Sequence, residues 1–141
     1  MTAFILDNSV TMRWLLQSPK AQDQRYAENV LQTFVDSEAQ VPNLWHLEVT
    51  NVLLAAKRRR EIDAIDIERF IDQLESLPIV TDPLTAQKAF NRTLALSASY
   101  NLSSHDGAYL ELAIRSGLPI ATLDAALSKA ARQAKVTIYR P

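Results

Sequence analysis

Ala3-Phe4-Ile5-Leu6-Asp7-Asn8-Ser9-Val10 begins with four apolar residues, reaches an aspartate, and passes into a helical pattern. Four consecutive apolar residues bounded in this way suit a short strand covered on both faces, as in a parallel sheet. The acid that closes the run stands where the strand leaves the core. Carboxylates rarely occupy that boundary unless they are paired or hold a cation. Ligands of open parallel sheets bind at the carboxyl ends of the strands. Asp7 therefore marks a strand end and a candidate site together.

Short apolar runs of the same kind recur. Gln40–Pro42, Leu77–Thr81 and Pro119–Thr122 read as strands, and Val136–Tyr139 as a candidate fifth. Helical patterns lie between them. The first carries Val10, Trp14 and Leu15, and the next spans Ala21–Val35. Leu44 to Lys57 follows, then Ile62–Leu74, whose Ile62, Ile65, Phe70, Ile71 and Leu74 predict its inner side. Thr85–Tyr100, Ser104–Ser116 (ended by Gly117) and Ala125–Ala134 complete the set. Alternating strands and helices predict a three-layer α/β/α sandwich around a central, mostly parallel sheet of four to five strands. With no repeat, linker or composition break, residues 1–141 are expected to form one domain.

Composition narrows the function. The 141 residues are 48% hydrophobic and 22% charged, ordinary for a globular protein with a sizeable core. No apolar run approaches a membrane span and no basic-then-apolar leader opens the chain, so a cytoplasmic location without membrane partners is expected. The absence of cysteine excludes disulfides, thiolate zinc sites and a cysteine nucleophile. A net charge of −1 rules out adhesion to nucleic acid through the overall field. Contact with RNA or DNA then needs a local patch or a metal bridging to phosphate.

Four acids interrupt otherwise apolar or helical contexts: Asp7, Glu48, Asp106 and Asp124. Taken singly, three have ordinary readings. Asp124 can cap the helix from Ala125, Asp106 can complete a capping box with Ser103, and Asp7 can start the helix after it. Asp82 also ends an apolar strand, but Pro83 follows, and the pair reads as a helix start outside the site. Glu48 is harder to explain by fold, because Leu47, Val49, Val52, Leu53 and Leu54 leave little room for a solvated face. Asn51, one turn on, is positioned to orient its carboxylate. Together the four acids make an oxygen-only donor set suited to Mg²⁺ or Mn²⁺. Such an ion, alone or as a pair, supports phosphodiester hydrolysis by activating water and stabilising charge on the attacking and leaving oxygens.

Four segments in register now resemble the PIN domain, and within it the VapC toxins of toxin–antitoxin pairs. They are Phe4 to Val10, Pro42 to Leu53, Ser104 to Ala113, and Ile120 to Leu127, which together span nearly the whole chain. The resemblance implies a divalent-metal-dependent endoribonuclease with Asp7, Glu48, Asp106 and Asp124 as metal-binding acids. By the same resemblance Thr122, with Ser9 or Asn51, holds water or orients the acids. It further implies an RNA substrate, inhibition of translation and growth, a homodimer, and a small cognate antitoxin that threads a segment into the acidic site. Two positions depart from the family pattern. Gly107 stands where alanine is common and is expected to loosen the turn beside Asp106. Arg60 occupies a turn where glycine is frequent.

The run Lys57-Arg58-Arg59-Arg60 reads as a solvated helix end favoured by the macrodipole before it reads as a phosphate patch. Arg13 is balanced between a phosphate or carboxylate contact and a surface role, and His105 between a general acid and a cap. Trp14, Trp45, Tyr100 and Tyr109 read as core or interface. Two other classes stay open: a haloacid-dehalogenase-like phosphatase built on Asp7-Asn8-Ser9-Val10-Thr11, and a non-catalytic PIN-like module that binds a protein. The phosphatase pattern lacks its general acid, since Ser9 stands where a second aspartate belongs. Dinucleotide-binding and P-loop readings fail because Gly107 and Gly117 are the only glycines.

Overall fold

The structure, a computed structural model, describes residues 2–141. Its sheet has four strands, β1 (Thr2–Leu6), β2 (Ser37–Val41), β3 (Ile79–Thr81) and β4 (Ile120–Ala121). Their order is β3-β2-β1-β4 and every pairing is parallel. Helices flank it: α1 (Asn8–Thr11), α2 (Ala21–Gln32), α3 (Trp45–Arg58), α4 (Ala64–Ser76), α5 (Thr85–Lys88), α6 (Leu94–Tyr100), α7 (Ser104–Ser116) and α8 (Ala125–Gln133). The expected α/β architecture is thus the observed one. Among the described residues no helix is long and apolar enough to cross a membrane.

Phe4, Ile5 and Leu6 are fully buried, as a central strand with a partner on each side requires. From β1 the chain builds outward to β2 and β3, then returns to the other side of β1 for β4. The direction of winding therefore reverses between β1 and β4, and a crevice opens there at the carboxyl ends of the strands. The Asp7 N–H donates to the Ala121 carbonyl at 3.0 Å, so the two strand ends leave the sheet side by side.

Several boundaries differ from expectation. β2 starts at Ser37 because Ser37, Ala39 and Val41 alternate inward with period two, a pattern hidden by the polar residues between them. β4 keeps only Ile120 and Ala121, extended by the bond from Ile5 N–H to the Pro119 carbonyl (2.8 Å). The fifth strand shrinks to one parallel bridge between Ile120 and Ile138. It is anchored by Tyr139, which stacks on Phe4 at 4.2 Å and accepts a hydrogen bond from the Tyr26 hydroxyl at its carbonyl.

The second helix tightens into a 3₁₀ turn at Thr33–Val35. The helix expected over Thr85–Tyr100 is interrupted by a widened π-type turn at Ala89–Thr93. α4 begins only at Ala64, where Asp63 and Asp66 form a reciprocal capping box that leaves Ile62 ahead of the helix. Its inner face is Ile67, Phe70 and Leu74; Ile65, expected inside, is 57% exposed, and Ile71 also faces out.

α7 is the central helix, with seven consecutive buried residues from Gly107 to Ala113. Ser103 caps it by accepting from the Asp106 N–H, and Gly117 ends it at φ 69°. Gly107 also meets a packing constraint. A Cβ at 107 would fall 1.9 Å from Ser97 Oγ and 3.4 Å from the Thr93 carbonyl. Glycine eases the close passage of α6 and the turn before it against α7.

Candidate active site

Asp7 is 5% exposed and sits at the cap position of α1, but its side chain makes no cap bond. Its Oδ2 instead accepts from Ser9 Oγ at 2.6 Å and from Thr122 Oγ1 at 2.7 Å. Thr122 immediately follows β4, so the side-by-side strand ends put its hydroxyl on Asp7. Both hydroxyls also serve the next loop, with the Leu123 N–H donating to Ser9 Oγ and the Asp124 N–H to Thr122 Oγ1. Asp124 caps α8 as expected, its Oδ2 accepting from the Leu127 N–H at 2.8 Å. Asp106 lies in the first turn of α7, half-buried, its N–H held by Ser103.

Glu48, the fourth residue of α3, is placed differently from its sequence context. Trp45, Val49, Leu53 and Ala56 form the buried stripe of that helix, whereas Leu47 is 74% exposed and Leu54 and Asn51 also face outward. Glu48 stands half-buried at the edge between these faces. Asn51 makes no hydrogen bond to it; the donor is the Tyr109 hydroxyl of α7, at 2.6 Å from Oε1. Nothing local in the sequence pointed to a partner on α7. Beside it, His105 Nδ1 lies 4.0 Å from Glu48 Oε2, a loose approach for an exposed imidazole.

The four acids feel one another. Burial pushes the Asp7 carboxyl up to about 6; the Ser9 and Thr122 hydroxyls oppose this and the charges of Glu48 and Asp106 add to it. Asp106 is also pushed up to about 6, by burial first and then by Asp124 and Glu48, with His105 and Ser103 opposing. Among the described residues no lysine or arginine forms an ion pair with any of the four acids. Asn8 Oδ1, one residue from Asp7, is buried without a hydrogen-bond partner. An all-oxygen donor set with mutually repelling carboxylates and no protein counter-charge fits a hard divalent cation. Among the described residues no three acidic or histidine side chains already stand at metal-holding spacing.

Asp82 departs from its expected role. α5 starts at Thr85 with no side-chain cap, and the Asp82 carboxylate instead forms a two-point pair with Arg115 of α7 (3.1 and 2.7 Å). Burial raises its pKa, yet the Arg115 hydrogen bond and charge outweigh this and hold it below the usual range. Arg115 also pairs with the buried Glu111, four residues earlier, at 2.8 Å. Asp82 is absent from the charges acting on Asp7 and Asp106.

Two of the other cations have partners for their side chains among the described residues. Arg13 donates to the Leu16 and Gln17 carbonyls of its own loop. Arg59 pairs with Glu61, Lys57 and Arg58 occupy the last turn of α3, and Arg60 turns the chain at φ 60°. Trp45 and Tyr109 are buried core residues. A groove of about 580 Å³ borders the acids, running from Asn8, Glu48 and His105 to Leu47 and Leu54.

A small parallel α/β fold with oxygen-only acids gathered at its switch point defines the class. The PIN domain family model matches residues 4–133, and the chain belongs to that family. Solved structures share the fold. PAE2754 from Pyrobaculum aerophilum is 18% identical, with a TM-score of 0.66 over 92% of this chain and 86% of that one. FitAcB from Neisseria gonorrhoeae is 16% identical, with a TM-score of 0.62 over 98% and 97%. VapBC2 from Rickettsia felis, bound to a DNA fragment from their promoter, is 11% identical, with a TM-score of 0.67 over 98% of each chain. No curated protein matches.

Proposed function

We propose that this protein is a divalent-metal-dependent endoribonuclease and the toxin of a toxin–antitoxin pair, acting in the cytoplasm to inhibit translation and growth. The observation that carries the reading is that the charges of Glu48 and Asp106 act on Asp7, and those of Asp124 and Glu48 on Asp106, while among the described residues no lysine or arginine pairs with any of the four. In this reading all four acids hold Mg²⁺ or Mn²⁺, and the ion, when bound, supplies activated water and charge stabilisation for phosphodiester hydrolysis. Ser9 and Thr122 orient Asp7. Family membership supports a nuclease, and similarity to the fold of FitAcB, VapBC2 and a toxin–antitoxin complex from Klebsiella pneumoniae supports the toxin role.

The antitoxin is assigned to the groove beside Glu48. Exposed Leu47 and Leu54 offer apolar anchorage, and the unneutralised acids at its end suit a cationic side chain. A homodimer completes the proposed assembly.

The test is direct. Metal-stripped protein is incubated with RNA, with and without Mg²⁺ or Mn²⁺, beside Asp7→Asn. Metal-dependent cleavage by the wild type alone is expected. Equal cleavage by both proteins, or none by either, would sink the mechanism and favour a protein-binding module. Expression should arrest growth, and Asp7→Asn should relieve the arrest.

A further inference from the structure

Each of three acids in the cluster has one oxygen tied and one left open. Asp7 Oδ2 takes the Ser9 and Thr122 hydroxyls, Asp124 Oδ2 takes the Leu127 N–H, and Glu48 Oε1 takes the Tyr109 hydroxyl. Asp7 Oδ1, Asp124 Oδ1 and Glu48 Oε2 receive no hydrogen bond among the described residues. Tyr109 is the least expected of these donors. It is fully buried, and it reaches Glu48 across 61 positions of sequence. It also lies three residues after Asp106 on α7, so its ring and that carboxylate leave the helix on neighbouring sides. One hydrogen bond thereby links the acid of α3 to the helix that carries Asp106.

We propose that Tyr109 is the positioning residue of Glu48, restricting it to a single available oxygen so that the cluster selects a small octahedral dication over a larger one. The proposal rests on the metal-dependent reading above. Mg²⁺ and Mn²⁺ prefer octahedral oxygen sites, and Mg²⁺ uses few carboxylates and retains water. Ca²⁺ takes six to eight oxygens and readily accepts both from one carboxylate. A glutamate with one oxygen held by a buried phenol is a poor two-oxygen ligand. Partners that orient metal ligands typically matter about 10- to 100-fold in metal affinity.

The test measures ion binding to RNA-free protein: Mn²⁺ by the paramagnetic resonance of the free ion, and Ca²⁺ by calorimetry. Tyr109→Phe should weaken Mn²⁺ about 10-fold or more while leaving Ca²⁺ unchanged or tighter, so that the preference between the ions collapses. In a Glu48→Ala background Tyr109→Phe should add nothing for Mn²⁺, since it acts through Glu48. Unchanged Mn²⁺ affinity, equal weakening of both ions, or additive effects in the double variant would each overturn the proposal. Glu48→Gln gives the same answer in an otherwise native core. With the phenol holding its amide oxygen, it should bind Mn²⁺ no better than Glu48→Ala, and near-wild-type affinity counts against the idea. A wild type that binds neither ion overturns the metal reading itself, a result distinct from failure of the Tyr109 role alone.

Discussion

Two groups of buried or half-buried acids lie within this one domain, and they are treated in opposite ways. Asp82 and Glu111 share the guanidinium of Arg115, with paired distances of 2.7 and 2.8 Å. Among the described residues Asp7, Glu48, Asp106 and Asp124 share no cation, only hydroxyls, backbone amides and one distant imidazole. The first group lowers the pKa of its aspartate, whereas the second raises two aspartates to about 6. A neutralised cluster ties β3 to α7. An unneutralised one holds unfavourable charge that a bound cation would relieve, as the proposed function requires.

The contrast is broken most severely at its neutralised side. Arg115→Ala leaves two buried carboxylates without a counter-charge and should cost about 3–5 kcal/mol, read as a lower urea midpoint. A loss below about 1 kcal/mol would show the pair to be decorative. On the other side, Mg²⁺ at about 100 times its dissociation constant should add about 2.7 kcal/mol at pH 7.5. Calorimetric melting should show that gain shrinking toward pH 5, where protons compete for Asp7 and Asp106.

The sign follows from the raised folded-state values. Both aspartates hold protons more tightly in the folded protein than at their ordinary 3.8, so the stability they contribute is present at low pH and lost as pH rises through about 6. Metal-free protein should therefore melt lower at pH 7.5 than at pH 5. Asp7→Asn removes one of these charges and should raise the metal-free melting temperature at pH 7.5 by about 5 °C while abolishing cleavage. A fall in melting temperature would contradict the view that Asp7 is a stability cost. Asn51→Ala sharpens the comparison at the small end. With no bond to Glu48, it should change Mn²⁺ affinity by less than about 2-fold and stability by less than about 0.5 kcal/mol.

The strands were legible because a buried parallel strand writes itself as a short apolar run, and the acids because each breaks such a pattern. Ala3 to Leu6 and Pro119 to Thr122 lead straight to the neighbouring strand ends that hold Asp7 and Thr122. What sequence hid were pairings between distant positions. Asp82 followed by Pro83 has the look of a helix start, and only tertiary structure brings Arg115, 33 positions away, onto its carboxylate. A lone i,i+4 pair, Glu111 and Arg115, inside an apolar helix was the available signal. Glu48 stood out for an incomplete reason. Its leucine neighbours face outward into a groove, and its partner lies on α7 rather than one turn along α3.

The close passage of α6 over α7 carries a consequence for how such a sequence can change. Alanine at 107 would bring its methyl onto the Ser97 hydroxyl, so the serine would have to turn or shift. Ser97 Oγ is itself tied to the Thr93 carbonyl at 2.7 Å, so it cannot simply rotate away without losing that bond. A change from glycine to a larger residue at 107 therefore involves both helices, and the order of the steps matters. Trimming position 97 first avoids the clash; enlarging position 107 first displaces the Ser97 hydroxyl from the Thr93 carbonyl.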